Sequence, residues 1–269
     1  SRGFVLGGTA GRTTLNGEGL QPETGPSLLL ESTYPAVRAY DPAFAYEPAA
    51  IIRDGLKAML EDGQDVVYYL TLYNEPKPQP PAPDVADLEA QVLRGLYRCA
   101  PAPELATSNG GPPRAQLMAS GTGIHWALDA QRMLASDWGV AADVWSATSW
   151  TELRRDGLAC DRANRLAAAS GGEQRKPWIT QQLEDAPGPV IAVSDWMRAV
   201  PDQIEKWVPG DWSSLGTDGF GRSDTREALR RYFAVDAESI VLATLTELAR
   251  LGDIKPEAPA EAVSRYSLG

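Results

Sequence analysis

Short apolar runs alternate with stretches of helical periodicity along most of the chain. Residues 4–6, 36–40 and 66–73 are rich in β-branched and aromatic side chains and predict strands. Asp41-Pro42 predicts a helix start, because Asp can cap free N–H groups and Pro suits the first helical position. That helix is expected to run to about Met59, with Pro48 past the first turn and expected to kink or delay it. A second helix is predicted over residues 85–97. Between them PKPQPPAPD, residues 76–84, reads as a stiff proline-rich loop. APAPELATSNGGPPR, residues 100–114, reads as the linker between two domains.

Beyond the linker the pattern restarts. Strands are predicted over 116–119, 144–147, 178–181 and 190–193. Helices are predicted over 123–138, with Gly139 after its end, and from the capping box Ser149-x-x-Glu152. A further helix opens at Asp224-x-x-Glu227 and runs to about Tyr232, and another spans 236–251 and stops at Gly252. Strand-helix units joined by short loops predict an α/β fold, with mostly parallel sheets covered by helices. No repeat of fixed period is present.

Composition narrows the function classes. The chain has 269 residues, 43% hydrophobic and 23% charged, which suits one large or two ordinary globular domains. A formal charge of -11 argues against nucleic acid or an anionic membrane as partner, since both need a basic patch. It leaves room for a local basic pocket that takes phosphates. Cys99 and Cys160 have no metal-ligand spacing and form no disulfide framework, so the cytoplasm is the expected compartment. The start at Ser1 without Met points to a trimmed chain, a cleavage product or a split subunit. All eight Trp lie from residue 126 onward, where most are expected in the core and one or two at a subunit interface.

The stretch GGTAGRTTLNGEGLQ, residues 7–21, carries the most chemistry. Glu18 lies between Gly17 and Gly19, which let the backbone approach a ligand closely. A carboxylate there can relay protons or hold a hydroxyl, or the loop is an ordinary turn. With AYDPAFAYE (39–47), DVWSATSWTELRRDG (143–157) and LGTDGFGRSDTREALRRYF (215–233), it resembles the homodimeric-type pyruvate dehydrogenase first component. That family is thiamine diphosphate-dependent and transketolase-like, and the blocks stand in its order over nearly the whole chain.

The resemblance implies two transketolase-type domains: a partial pyrimidine-binding domain, residues 1–105, and a complete C-terminal domain, residues 106–269. It makes Glu18 and Gln21 the expected catalytic residues, with Gly17 and Gly19 at the cofactor. The segment 216–224 is a glycine-rich run into a helix, and Arg222 there is a candidate for a substrate carboxylate or phosphate, or for a structural pair. Ser120-Gly121-Thr122-Gly123 lacks the spacing of both the P-loop and the dinucleotide fingerprint. Asn74-Glu75 is either cleft-lining or a solvated strand end. Two family histidines are replaced by Pro22 and Pro26, and the family's RRHF-like ending reads Arg230-Arg231-Tyr232-Phe233. His125 is the only histidine, and it reads as a packing or surface residue.

No Gly-Asp-Gly motif for magnesium and diphosphate occurs. Thiamine diphosphate and magnesium are therefore expected to be held mainly by a partner chain that carries the diphosphate-binding domain. A half domain should also expose a sheet edge and apolar surface. The expectation is a hetero-oligomer with a dimeric core. It would transfer a two-carbon acyl or ketol unit to a lipoyl, carrier-protein or aldehyde acceptor, in central metabolism or a specialised biosynthetic pathway. The alternatives are a catalytically silent interaction module and a fragment of an ordinary pyruvate dehydrogenase first component.

Overall fold

The three apolar runs of the first hundred residues become three parallel strands in the computed structural model, which describes residues 1–8, 10–16, 25–105 and 111–269. They are β1 (Gly3–Gly8), β2 (Val37–Tyr40) and β3 (Val67–Leu72), in the order β1-β3-β2. Tyr69 of β3 faces Val5 on one side and Ala39 on the other. Helices α1 (Ser27–Glu31) and α2 (Tyr46–Leu56) flank β2, and α2 continues as a π-helical turn at Lys57–Glu61. The expected open edge is present: among the described residues β1 pairs with β3 alone, with Val5 49% and Leu6 58% exposed.

The helix expected at Asp41-Pro42 starts instead at Tyr46, after Ala45, with Pro48 in its first turn. Proline at 48 needs no N–H partner there, so the helix is delayed rather than broken. Asp41 caps nothing, because its carboxylate is buried elsewhere. The free N–H groups of Ala43 and Phe44 go to the buried Glu47 carboxylate. The helix expected over 85–97 contracts to α3 (Leu88–Arg94), ended by Gly95 at φ +98°. Tyr97 then opens β4 (Tyr97–Ala100).

The second sheet has the order β4-β6-β5-β7-β8, with β4 antiparallel and the other pairings parallel. Its strands are β5 (Arg114–Ala119), β6 (Ala141–Ser146), β7 (Val190–Val193) and β8 (Trp212–Leu215). Crossover helices α4 (Gly123–Trp138) and α5 (Trp150–Ser170) follow β5 and β6. Gly139 takes φ +65° after α4 as expected, but only half of the expected capping box forms: Ser149 Oγ accepts from Glu152 N at 3.0 Å, while Ser149 N donates to Gly95 O at 3.3 Å instead of to Glu152. Then come α6 (Trp178–Leu183), a 3-10 turn at Pro201–Trp207, α7 (Arg226–Tyr232), α8 (Ala237–Leu251) and α9 (Ala258–Tyr266).

Residues 178–181 were expected as a strand and are the helix α6. Pro177 precedes it, and Trp178 N donates to Asp156 of α5, so tertiary contact decides an ambiguous short apolar run. Alternate residues of β5, β6 and β7 serve opposite faces. Leu117, Val144 and Ile191 pack under α4 and α8, whereas Met118, Trp145 and Ala192 pack with Trp150, Leu153 and Ile179. Burial of roughly 1.5–3 kcal/mol per large apolar side chain on both faces holds this half together. Trp126, Trp145, Trp150, Trp178 and Trp196 are in the core, as expected of most. Among the described residues, no helix is long and apolar enough to cross a membrane.

Candidate active site

The carboxyl ends of the two sheets face each other, and polar side chains gather at that seam. Asp41 leaves the end of β2, Thr71 and Tyr73 lie at the end of β3, Ser120 follows β5, and Trp196 follows β7. The buried Asp41 carboxylate accepts from Thr71 Oγ1 and Ser120 Oγ at 2.5 Å, from Trp196 Nε1 at 2.8 Å and from the Tyr73 hydroxyl. Burial raises its pKa, and these four donors work against that rise by favouring the charged form. Gly121 comes so close that a Cβ would sit 2.2 Å from Tyr73 Oη, and its φ is +50°.

A second carboxyl, Asp195, sits beside it. Asp195 is fully buried, and its Oδ2 accepts from Thr13 N at 3.0 Å. Burial pushes its pKa up to about 7; Thr13 and Arg230 pull it down, and the Asp41 charge adds to the rise.

Residues 10–16, which lead into Gly17-Glu18-Gly19, lie along this seam and are gripped from the second half of the chain. Arg12 Nη1 donates to Thr217 O, Arg230 Nε to Thr13 Oγ1 at 3.3 Å, and Arg226 Nε to Thr14 O at 2.6 Å. Asn16 Oδ1 accepts from Arg226 N at 3.0 Å. Arg226 and Arg230 stand one turn apart on α7, so both point at the same stretch. Arg230 also pairs with Glu75, which in turn binds Lys77 at 2.9 Å. Asn16, Glu75, Thr225, Arg226, Glu227 and Arg230 line a cleft of about 380 Å³.

Of the sequence-predicted residues, Gly17, Glu18, Gly19 and Gln21 lie outside the described residues, as does Pro22. Pro26 is described and precedes α1. Arg222 is exposed and stacks over the Tyr232 ring, 4.4 Å from its centroid. Arg226 and Arg230 contact residues 13–16. Glu75 proves to line the cleft, with its side chain only 11% exposed. His125 packs edge-on against Phe44 with centroids 5.7 Å apart, and burial and Lys77 lower its pKa.

Sequence reasoning did not single out Asp41 or Asp195 as site residues. A signal existed: each is an acid one or two residues past a predicted buried strand, where open parallel sheets collect functional groups. Among the described residues, no group of three His, Cys, Asp or Glu side chains is placed to hold a metal ion.

The model of the pyruvate dehydrogenase E1 component middle domain matches residues 1–80, and that of the transketolase-like C-terminal domain matches residues 95–236. The pyruvate dehydrogenase E1 component of Mycolicibacterium smegmatis is 56% identical over 269 residues, which is 100% of this chain and 28% of that protein. The chain thus spans under a third of the length of such curated relatives. The solved transketolase from Leishmania mexicana superposes with a TM-score of 0.62 at 16% identity, over 90% of this chain and 30% of that one. A structure titled split gene transketolase, inactive beta4 tetramer, superposes with a TM-score of 0.58 at 16% identity, over 91% of this chain and 66% of that one. At such identities the two superpositions show the fold. The chain belongs to the pyruvate dehydrogenase E1 component family, built on a transketolase-like α/β fold.

Proposed function

We propose that this chain supplies one wall of the active site of a pyruvate dehydrogenase E1-type enzyme. The enzyme takes a two-carbon unit from pyruvate and passes it to a lipoyl acceptor. One observation carries the reading: residues 10–16, leading directly into Glu18, are held at the facing carboxyl ends of both sheets. Ligand sites of open parallel α/β folds gather at such ends. In this reading Glu18 relays protons, and Gln21 contacts the substrate. Arg226 and Arg230 hold the approach to the loop and favour an anionic substrate at its mouth.

Thiamine diphosphate supplies the carbanion-stabilising chemistry of such enzymes. The sequence has no Gly-Asp-Gly motif of the kind the resemblance implies for magnesium and diphosphate. We therefore place that site on polypeptide beyond this chain, either the rest of a longer E1 component or a separate partner. The two units proposed within the chain are residues 1–105 and 106–269. A working compartment in the cytoplasm follows from the cysteine usage.

The test is to purify the chain alone and with the polypeptide encoded immediately upstream, then measure thiamine diphosphate binding and pyruvate turnover. Binding and turnover are expected only for the combination. Tight binding with turnover by the chain alone would sink the reading.

A second reading is a catalytically silent module that supports an active copy. It is favoured by Pro22 and Pro26, which stand where the resembling family has histidines and whose side chains move no protons. Glu18→Ala in the combined protein separates the two: loss of turnover supports catalysis, and an unchanged rate supports the silent module.

A further inference from the structure

We infer that the turn after β7, residues 194–197, is a clamp that holds residues 10–16 and Gly25 in place, with Asp195 as its positioning residue. This rests on the reading above, in which residues 10–16 lead into the active site.

Described residues on both sides of 17–24 are tied to this one turn. On the leading side, Thr13 N donates to Asp195 Oδ2 at 3.0 Å. On the trailing side, Met197 N donates to Gly25 O at 3.2 Å. Two positions of the turn, 195 and 197, thus hold Thr13 and Gly25, which are far further apart along the chain.

The turn itself cannot drift, because it is bonded to both sheets. Trp196, between the two tying residues, is fully buried, and its Nε1 donates to Asp41 at the end of β2. Its carbonyl accepts from Thr217 N at 2.8 Å, and Thr217 Oγ1 donates to Asp195 O at 3.1 Å. Thr217 O in turn accepts from Arg12 of the leading flank. The approach is close: Gly11 has φ +82°, and a Cβ there would lie 2.2 Å from Asp195 Oδ2.

One feature sets Asp195 apart from an ordinary buried polar group. Its Oδ1 is buried without a hydrogen-bond partner among the described residues. Buried polar atoms are normally satisfied, and a half-satisfied carboxyl is retained here against that cost. The titratable and charged groups facing it are Asp41 past β2, Tyr73 past β3 and Arg230 on α7. Opening the clamp would give Asp195 water and let it ionise away from the Asp41 carboxylate. A proton on Asp195 therefore favours the closed clamp.

The test is hydrogen exchange on the full chain, reading amides of residues 10–16 and 25–31 against α4 and α8. Asp195→Ala is expected to speed exchange in the two flanks about tenfold, with α4 and α8 unchanged. Asp195→Asn keeps an acceptor oxygen and is expected to restore most of the protection. A folded Asp195→Ala protein with unchanged flanks, or Asp195→Asn as fast as Asp195→Ala, overturns the clamp. Should Asp195→Ala fail to fold, the wild type decides. Its flank protection, corrected for intrinsic exchange, is expected to fall as pH rises through neutrality, and Asp195→Asn to be flat. A flat wild type overturns the role of the carboxyl.

In the combined protein, Asp195→Ala is expected to lower kcat about 100-fold with KM little changed. Exchange needs neither cofactor nor substrate, so the two ideas fail separately. Loosened flanks with undiminished turnover would uphold the clamp and sink the part of residues 10–16 in the active site. Turnover lost in Glu18→Ala, with tight flanks in Asp195→Ala, would do the reverse.

Discussion

Arg230 of α7 and Glu75, 155 positions earlier, join side chain to side chain, with Nη1 donating to Oε1 at 3.2 Å and Nη2 to Oε2 more closely. Only about a tenth of either side chain reaches solvent, so water screens the pair little. The pair locks the end of the first sheet to the helix that grips residues 13–16. Burial by itself would raise the Glu75 pKa, but Arg230 and Lys77 outweigh it and hold it below the usual carboxylate range.

Arg230→Met should therefore strand a buried carboxylate. A loss of about 3 kcal/mol is expected, at the low end for a broken buried pair because Lys77 remains. Glu75→Gln together with Arg230→Met should recover more than half of it. Urea unfolding of the two single variants and the double variant measures this. The wild-type advantage should be full above about pH 4 and fade as pH falls through the lowered folded pKa of Glu75.

Asp195 has the opposite sign. Its folded pKa of about 7 lies above the value of about 4 expected in the unfolded chain. The folded state then binds the extra proton between those values. Stability from this group is greatest below about pH 4, declines toward about pH 7 and is level beyond. Asp41 and Glu47 are raised by burial too, so the wild-type curve contains all three. The difference between wild type and Asp195→Asn isolates one, on the order of 4 kcal/mol across the window. Urea titrations at a series of pH values would read it, and parallel curves would refute it.

Two glycine replacements should differ although both sit at positive φ. Gly121→Ala meets Tyr73 and Asp41, at 2.2 and 2.7 Å from the new Cβ. Its cost combines left-handed strain with overpacking, about 2–4 kcal/mol. Gly139→Ala, at φ +65° with nothing within 4 Å, should cost only about 1 kcal/mol. Thermal unfolding of both variants checks the ranking.

The open flank of β1 should make the isolated chain associate as its concentration rises. Val5→Lys with Leu6→Lys puts charge on that edge. The double variant should sediment as a smaller species than the wild type, with stability changed by less than about 0.5 kcal/mol. Equal sedimentation of the two proteins would show that this edge is not what associates.

Much of this protein is determined locally, and that part was legible along the chain. α4 follows from unbroken helical periodicity closed by Gly139, and α8 from the Asp236 cap and Gly252. β5 and β7 follow from short apolar runs between turn residues. The family was legible because four motifs keep their letters and their order. What the chain could not reveal depends on long-range partners. Asp41 resembles a helix cap until four donors from distant loops surround it. The run 178–181 is equally apolar as strand or helix, and its contact with α5 decides. Asp195 is an unremarkable acid until the two sheets meet end to end. Burial by residues far away in sequence then changes its charge, and it takes hold of the residues that lead into Glu18. Hydrophobic period and capping are properties of neighbours along the chain, whereas desolvation and ion pairing are properties of neighbours in space.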